Sequence, residues 1–441
     1  MTGGGDVVAA AGIAPEGAAP ARPGTDWASP AMRARLARRY RAERRFRALG
    51  ILALATAGGF LVFLLATIVR DGWNSFRQTE VRVEVSFDRA LLGLPAAGVP
   101  DRATLLAADW PSLLLPAYER EPGLERAISE GAWVRLRDMA VADPSILGTS
   151  RAVWLTAASN TDLLAKGAFD LSAAEADRRV SDREIALFRK LEAESRIRIG
   201  FNRLFLTQSD STVPEQAGVW GALKGSLLTI LVTLALAFPV GVFAAVYLEE
   251  FAARNRWTDI VEVSINNLAA VPSIIFGLLG LAVFLNAFGM PRSAPLVGGL
   301  TLALMTLPVI VIAARAAVKA VPPSIRDAAL GVGASKVQVV FHHVLPLALP
   351  GILTGTIIGV ARALGETAPL LMIGMRAFLI DAPAGVTDPA TALPVQIFIW
   401  SDNVARGFVE KTSGAIIVLL LVLLTLNSVA IWLRNRYEVR W

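Results

Sequence analysis

Six apolar runs, each long enough to cross a lipid bilayer, constrain this chain more than any other feature. They fall near residues 49–69, 222–248, 264–287, 295–318, 347–373 and 413–433. A helix rises ~1.5 Å per residue, so about 20 apolar residues cover the ~30 Å hydrocarbon core. In lipid the backbone must satisfy its own hydrogen bonds, and single apolar segments do so as helices. A chain that is 54% hydrophobic and only 18% charged fits no ordinary soluble fold. The expected fold is an all-α polytopic membrane protein with six transmembrane helices.

Charge sets the orientation. Arg33, Arg35, Arg38, Arg39, Arg41, Arg44, Arg45 and Arg47 precede the first run, and Arg434, Arg436 and Arg440 follow the last. Both ends are expected in the cytoplasm, and an even number of crossings agrees. Arg254 and Arg256, and then Arg315, Lys319, Arg326 and Lys336, fall on the same side, whereas the short loop near 288–294 carries only Arg292. The net charge of +6 therefore reads as membrane flanks and not as a nucleic-acid surface.

The chain divides accordingly: 1–47, a disordered then Arg-rich segment; 48–70, the first helix; 71–218, an extracytoplasmic domain; 219–437, a core of five helices; and 438–441, a cytoplasmic tail. The Ala-, Gly- and Pro-rich first 30 residues lack apolar periodicity. The inserted domain is expected to be α+β. Thr79 to Asp88 alternate, with Val81, Val83, Val85 and Phe87 on one face of a strand. Ser181 and Glu184 form a capping-box pattern ahead of a helix through Ile185, Phe188 and Leu191. Nothing in the domain reads as a catalytic or ligand motif, and a docking or structural role is the default.

Enzymatic chemistry has little to work with. The chain has no Cys, and its two His, His342 and His343, are too few for a histidine metal site. GVGASK at Gly331–Lys336 lacks the spacing of a phosphate-binding loop and follows no strand. No cofactor is expected on this chain.

Two regions carry functional signals. The first is the segment 320–346, containing VPPSIRDAALGVGASKVQVVFHHVLP. Ser324 is expected to cap a short helix, Gly333 to turn the chain, and a second short helix to run from Ser335 to Pro346, giving a helical hairpin. The second is Arg362 with Glu366 in the fifth run. Each costs about 2.5–3.5 kcal/mol if it faces lipid. At 100° per residue they share a face with Gly351, Gly355 and Gly359, a stripe of small residues that permits close helix approach. That face is expected to line a pore, with a guanidinium for a tetrahedral oxyanion and a carboxylate to hold it. The bland alternative is a pair that only neutralises itself. Arg315 is a second candidate, with a snorkelling side chain as its ordinary explanation.

The 320–346 segment resembles the coupling loop of type I importer permeases of the ATP-binding-cassette (ABC) class. Asp327, Ala328 and Ala329 match its E-A-A, followed at the family spacing by Gly333, Leu345 and Pro346. Asp327 stands in place of Glu, and His343 where an aliphatic residue is usual. Further stretches are similar to the PstA-type phosphate permeases: PVGVFAAVYLEE (239–250), VPSIIFGLLGL (271–281), ARALGETAPLLMIG (361–374) and LPVQIFIW (393–400). The resemblance covers about residues 204–437 and leaves out the insertion.

It implies a permease subunit in a bacterial inner membrane, with Arg362, Glu366 and Thr367 on the phosphate path. It also implies partners: a PstC-type second permease, a PstB-type ATPase dimer that holds the ATP, and a PstS-type periplasmic binding protein. Sulfate or molybdate is the alternative cargo. A membrane sensor or scaffold is the other reading, and it would be expected to carry a signalling domain after the last span.

Overall fold

The structure, a computed structural model, describes residues 29–437 apart from 97, 377 and 380. The expected unstructured tail falls largely on residues 1–28, and Arg440 and the 438–441 tail on the last four; both lie outside the described residues. The chain forms two compact units, Met1–Leu65 and Ala66–Trp441.

In the first unit a helix begins at Pro30 and is unbroken from the arginine-rich segment into the apolar run; as an element it extends over Pro30–Gly72. Alanine, leucine and arginine are strong helix formers, so nothing interrupts it where the composition changes.

The second unit joins a small sheet to the remaining helices. β1 (Arg77–Ser86) lies between β2 (Ser150–Thr156) and β3 (Ile197–Phe201), antiparallel to both, with Val83 opposite Val153 and Thr79 opposite Ile199. The two-residue period of a strand sends Val81, Val83, Val85 and Phe87 into one core with Trp110, Leu136 and Leu155. The helix Asp182–Ala193 opens with the expected reciprocal box between Ser181 and Glu184.

Four further helices are long and apolar enough to span a bilayer, beside the first: Trp220–Phe251, Pro295–Ala320, Lys336–Gly365 and Gly407–Arg436. The third expected span, 264–287, is not one helix. It is Arg256–Ala269 and then Ser273–Ala287, bent by 104°. Pro272 lacks an N–H and disfavours the α conformation at Val271, so the ladder stops there.

The sheet region is not a detached module, because it interlocks with the final helix Gly407–Tyr437. Cβ atoms added at Gly72, Gly407 and Gly414 would strike Ser413, Ser159 and Ser75 respectively. Lys166, its side chain 3% exposed, bridges Asp162 at 2.6 Å and Glu410 at 3.1 Å. The Ser75 hydroxyl donates to the Glu410 carbonyl oxygen. Phe205, Val219, Leu393, Trp400 and Phe408 close one apolar cluster across the junction.

Candidate functional site

Arg362 lies in the last turn of the helix Leu345–Gly365, where a cation complements the negative end of the helix dipole. The fifth span was expected to carry Glu366 within the same helix, through to 373. Instead the helix ends at Gly365, and Glu366 is extended, with φ −76° and ψ 125°. A new short helix, Ala368–Met372, starts with Thr367 as its N-cap and Pro369 in its first turn. A proline there suits a helix start and ends continuity with what precedes it. Arg362 Nε meets Glu366 Oε1 across this break at 3.4 Å, with the arginine side chain 48% exposed and the glutamate 19%.

The break in the third span faces this one. A Cβ at Gly277 would lie 2.7 Å from the Pro369 Cα, and one at Gly280 3.1 Å from the Ile373 Cγ2. The helices from Ser273 and from Ala368 therefore run side by side in the same direction, which brings the breaks at Ala270–Pro272 and Glu366–Thr367 to neighbouring ends. Two interrupted helices at membrane depth leave backbone groups that must face protein or water, as at the substrate sites of transporters.

The glycine stripe gives the close helix approach expected of it. A Cβ at Gly351 would lie 2.7 Å from the Ala317 Cβ, and one at Gly355 would overlap Ala313; Gly359 faces Ile310. These glycines seat the fifth-span helix on Pro295–Ala320 and do not line a pore, because a missing side chain is worth most where two backbones approach.

Continuing that antiparallel register brings Arg362 level with Thr306, nine residues or about 13 Å along the axis from Arg315. Arg315 thus stands apart from Arg362, Glu366 and Thr367. Its guanidinium is held by Glu249 at 2.8 Å and Glu262 at 2.9 Å, with the side chain 18% exposed.

The coupling segment also departs from expectation. Its first helix, Pro323–Gly331, is capped at Pro322 and not Ser324, since Pro323 fits the first helical position and places the serine hydroxyl two residues past the cap. It ends in a Schellman motif: Ala334 N–H bonds Ala329 O at 3.1 Å and Gly333 N–H bonds Leu330 O at 2.9 Å. Gly333 sits at φ +89° with nothing within 4 Å of an added Cβ, so glycine is needed there for its backbone conformation and not for space.

Ser335 and Gln338 form a second capping box, but the helix they open runs through Leu345 and Pro346 into the fifth span as Lys336–Gly365. A wider π-turn over Val339–Val344 accommodates the proline ring and its missing N–H. The segment is thus one short helix and a turn leading into the next span, and not a hairpin of two short helices. Ala329 packs among Val339, Val340 and Val344, whereas Asp327 and Ala328 are exposed beside Leu330 and Val332.

Sequence reasoning passed over Arg326, Glu249, Glu250 and Glu262 as site residues. The signal was present: two adjacent acids close an apolar run on a flank otherwise rich in arginine. Elsewhere, a cleft of about 610 Å³ lies between β1 and neighbouring helices, but two of its cations, Lys190 and Arg196, are already bound by Glu121.

The profile of the family described as "Binding-protein-dependent transport system inner membrane component" matches residues 222–441, and a "Domain of unknown function (DUF3333)" matches residues 33–175. The chain is similar to "Probable ABC transporter permease protein YqgI" of Bacillus subtilis, 30% identical over 289 residues, 62% of this chain and 95% of that protein. It is 33% identical to "Phosphate transport system permease protein PstA 1" of Mycobacterium tuberculosis (strain H37Rv) over 224 residues, 50% of this chain and 72% of that one. "Phosphate transport system permease protein PstA" of Haemophilus influenzae is 31% identical over 49% of this chain and 76% of its own length.

Proposed function

The chain belongs to the family of binding-protein-dependent transport system inner membrane components, and from that premise we propose that it is the permease subunit of an ATP-driven phosphate importer. It is a multi-pass inner-membrane protein of a kind that is not itself catalytic and works with an ATPase and a substrate-binding protein. Phosphate is favoured over other oxyanions because relatives at 31–33% identity are named as phosphate permeases.

One observation carries the reading: two broken helices place their ends beside a guanidinium that is largely unspent. Arg362 has a single 3.4 Å contact to Glu366, whereas Arg315 and Arg326 are held by carboxylates at 2.7–2.9 Å. A planar fork with free donors fits a tetrahedral oxyanion, and Glu366 limits how tightly the anion is held, as a conduit requires. Thr367 offers a hydroxyl at the same break and makes no capping hydrogen bond.

In this proposal the termini are cytoplasmic and the sheet domain is periplasmic. A PstC-type permease completes the path, and a PstS-type protein delivers phosphate. A PstB-type ATPase dimer binds ATP and docks on the coupling loop of Asp327, Ala328, Ala329 and Gly333 through its exposed side, with Ala329 packed inward and Leu345 and Pro346 leading into the span. This chain carries no cofactor.

The test is phosphate uptake, with sulfate and molybdate as competitors, in native-host cells lacking the chain and with it restored. Loss and rescue of phosphate uptake alone is expected. Loss of a different anion, with phosphate uptake unchanged, would overturn the cargo and leave the permease.

A further inference from the structure

Arg326, next to Asp327 in the coupling helix, makes more polar contacts than any residue around it. Its Nε and one terminal nitrogen both donate to Glu250 Oε1, at 3.0 and 2.7 Å. The same guanidinium donates to the Val318 carbonyl oxygen at 2.9 Å and to that of Val321 at 2.6 Å. Its side chain is 21% exposed and that of Glu250 10%.

Those partners lie on different spans. Glu250 belongs to the π-turn Tyr247–Phe251 that closes the second span, and Val318 and Val321 end the fourth. A helix C-terminus leaves its last carbonyl oxygens short of intrahelical donors; Val318 keeps a 3.3 Å bond from the Val321 N–H, and Arg326 adds a second donor there and one at Val321. One turn away the tie is doubled, since Arg315 joins Glu249 at the end of the second span to Glu262 in the first half of the broken third span. Four elements are thus linked through two guanidinia whose rigid forks resist shear better than single-point ammonium contacts.

From this geometry we infer that Arg326 is the positioning residue for transmission. It fixes the coupling helix to the ends of the second and fourth spans, so that displacement of that helix by the ATPase becomes displacement of the spans. The inference rests on the permease reading and adds the residues through which force passes. Docking uses another face: Asp327, Leu330 and Val332 are exposed beside the buried Ala329. Loss of the tie should therefore separate ATP hydrolysis from transport without releasing the ATPase.

The experiment uses the whole transporter in proteoliposomes and reads ATP hydrolysed per anion moved, with whichever anion the unaltered complex transports. Arg326→Met is expected to keep the ATPase bound and hydrolysing while anion movement falls at least tenfold. Arg326→Lys should fall between. The chain has no cysteine, so Arg326→Cys with Glu250→Cys gives two unique thiols in this subunit. A short cleavable bis-thiosulfonate across them should restore the ratio, and reductant should abolish it again.

An unchanged ratio in Arg326→Met would overturn the inference. So would release of the ATPase in Arg326→Met and in the uncrosslinked pair alike, which would mark the contact as one that only maintains the fold. If the unaltered complex moved no anion with ATP, the permease reading itself would fail.

Discussion

Arg315, Arg326 and Arg362 have different numbers of acceptors, and that difference separates them. Arg315 and Arg326 are each held by carboxylates within 3 Å, whereas Arg362 has one long contact. A guanidinium saturated by fixed partners has no donors left for a passing anion. Arg362→Gln is therefore expected to reduce phosphate uptake by two orders of magnitude or more, with insertion and assembly intact by copurification. Full uptake in that variant would remove Arg362 from the path.

Glu215 is a residue-scale case of a different kind. Burial pushes its carboxyl above the ordinary value of 4.5, and one of its oxygens, Oε2, is buried without a hydrogen-bond partner. The folded protein holds that proton more tightly than the unfolded chain does, so the residue costs stability above the ordinary carboxylate range and little below it. Glu215→Gln should raise the melting temperature at pH 7 to 8, relieving a cost of about 1–3 kcal/mol. The gain should vanish near pH 4; a variant that stabilised equally at both values would show the effect is not ionic.

Elements here are defined as much by where they break as by where they run. Val81, Val83, Val85 and Phe87, the Ser181–Glu184 box and the Gly333 turn were legible from sequence because each depends on neighbours within a few residues. Pro272 beside Ser273 points to kinked backbone in the third span but not to a 104° bend, and the end of the fifth-span helix at Gly365 was not legible, since apolar run length does not register a proline that starts a new helix inside the run. The Gly351–Gly355–Gly359 stripe was legible as a place of close helix approach, but which helix it meets was not, because periodicity gives a face and not what the face meets.

Those glycines give an element-scale prediction. Gly355→Leu should push the fifth-span helix off Ala313 and cost several kcal/mol, on the order of overpacking at a close helix contact. Arg362 would shift with it. Thermal unfolding in detergent and uptake should fall together, and a stable variant with full uptake would contradict the packing described.

At the scale of the molecule, the sheet region and the final helix are mutually dependent. Asn202 donates to the Phe76 carbonyl oxygen at 2.8 Å, so the sheet leaves and rejoins the chain at adjacent points, as an insertion would. Yet the inserted segment supplies Lys166, which holds Glu410, and Ser159, against which Gly407 packs. Removing Lys166 takes the bridging ammonium from Asp162 and Glu410 and leaves the neighbouring buried Lys411 as their cation, a loss partly offset by the repulsion between Lys166 and Lys411 that it relieves. Joining Phe76 to Asn202 by a short linker, with residues 77–201 excised, removes all of these contacts while keeping Phe205, Trp400 and Phe408 together.

The expected outcome is a chain that still inserts but is cleaved by added protease near 402–412, melts lower and imports poorly. If the excised chain matched the full one in melting temperature and uptake, the domain would be an appendage, and the buried Lys166–Glu410 contact would bear on neither stability nor transport.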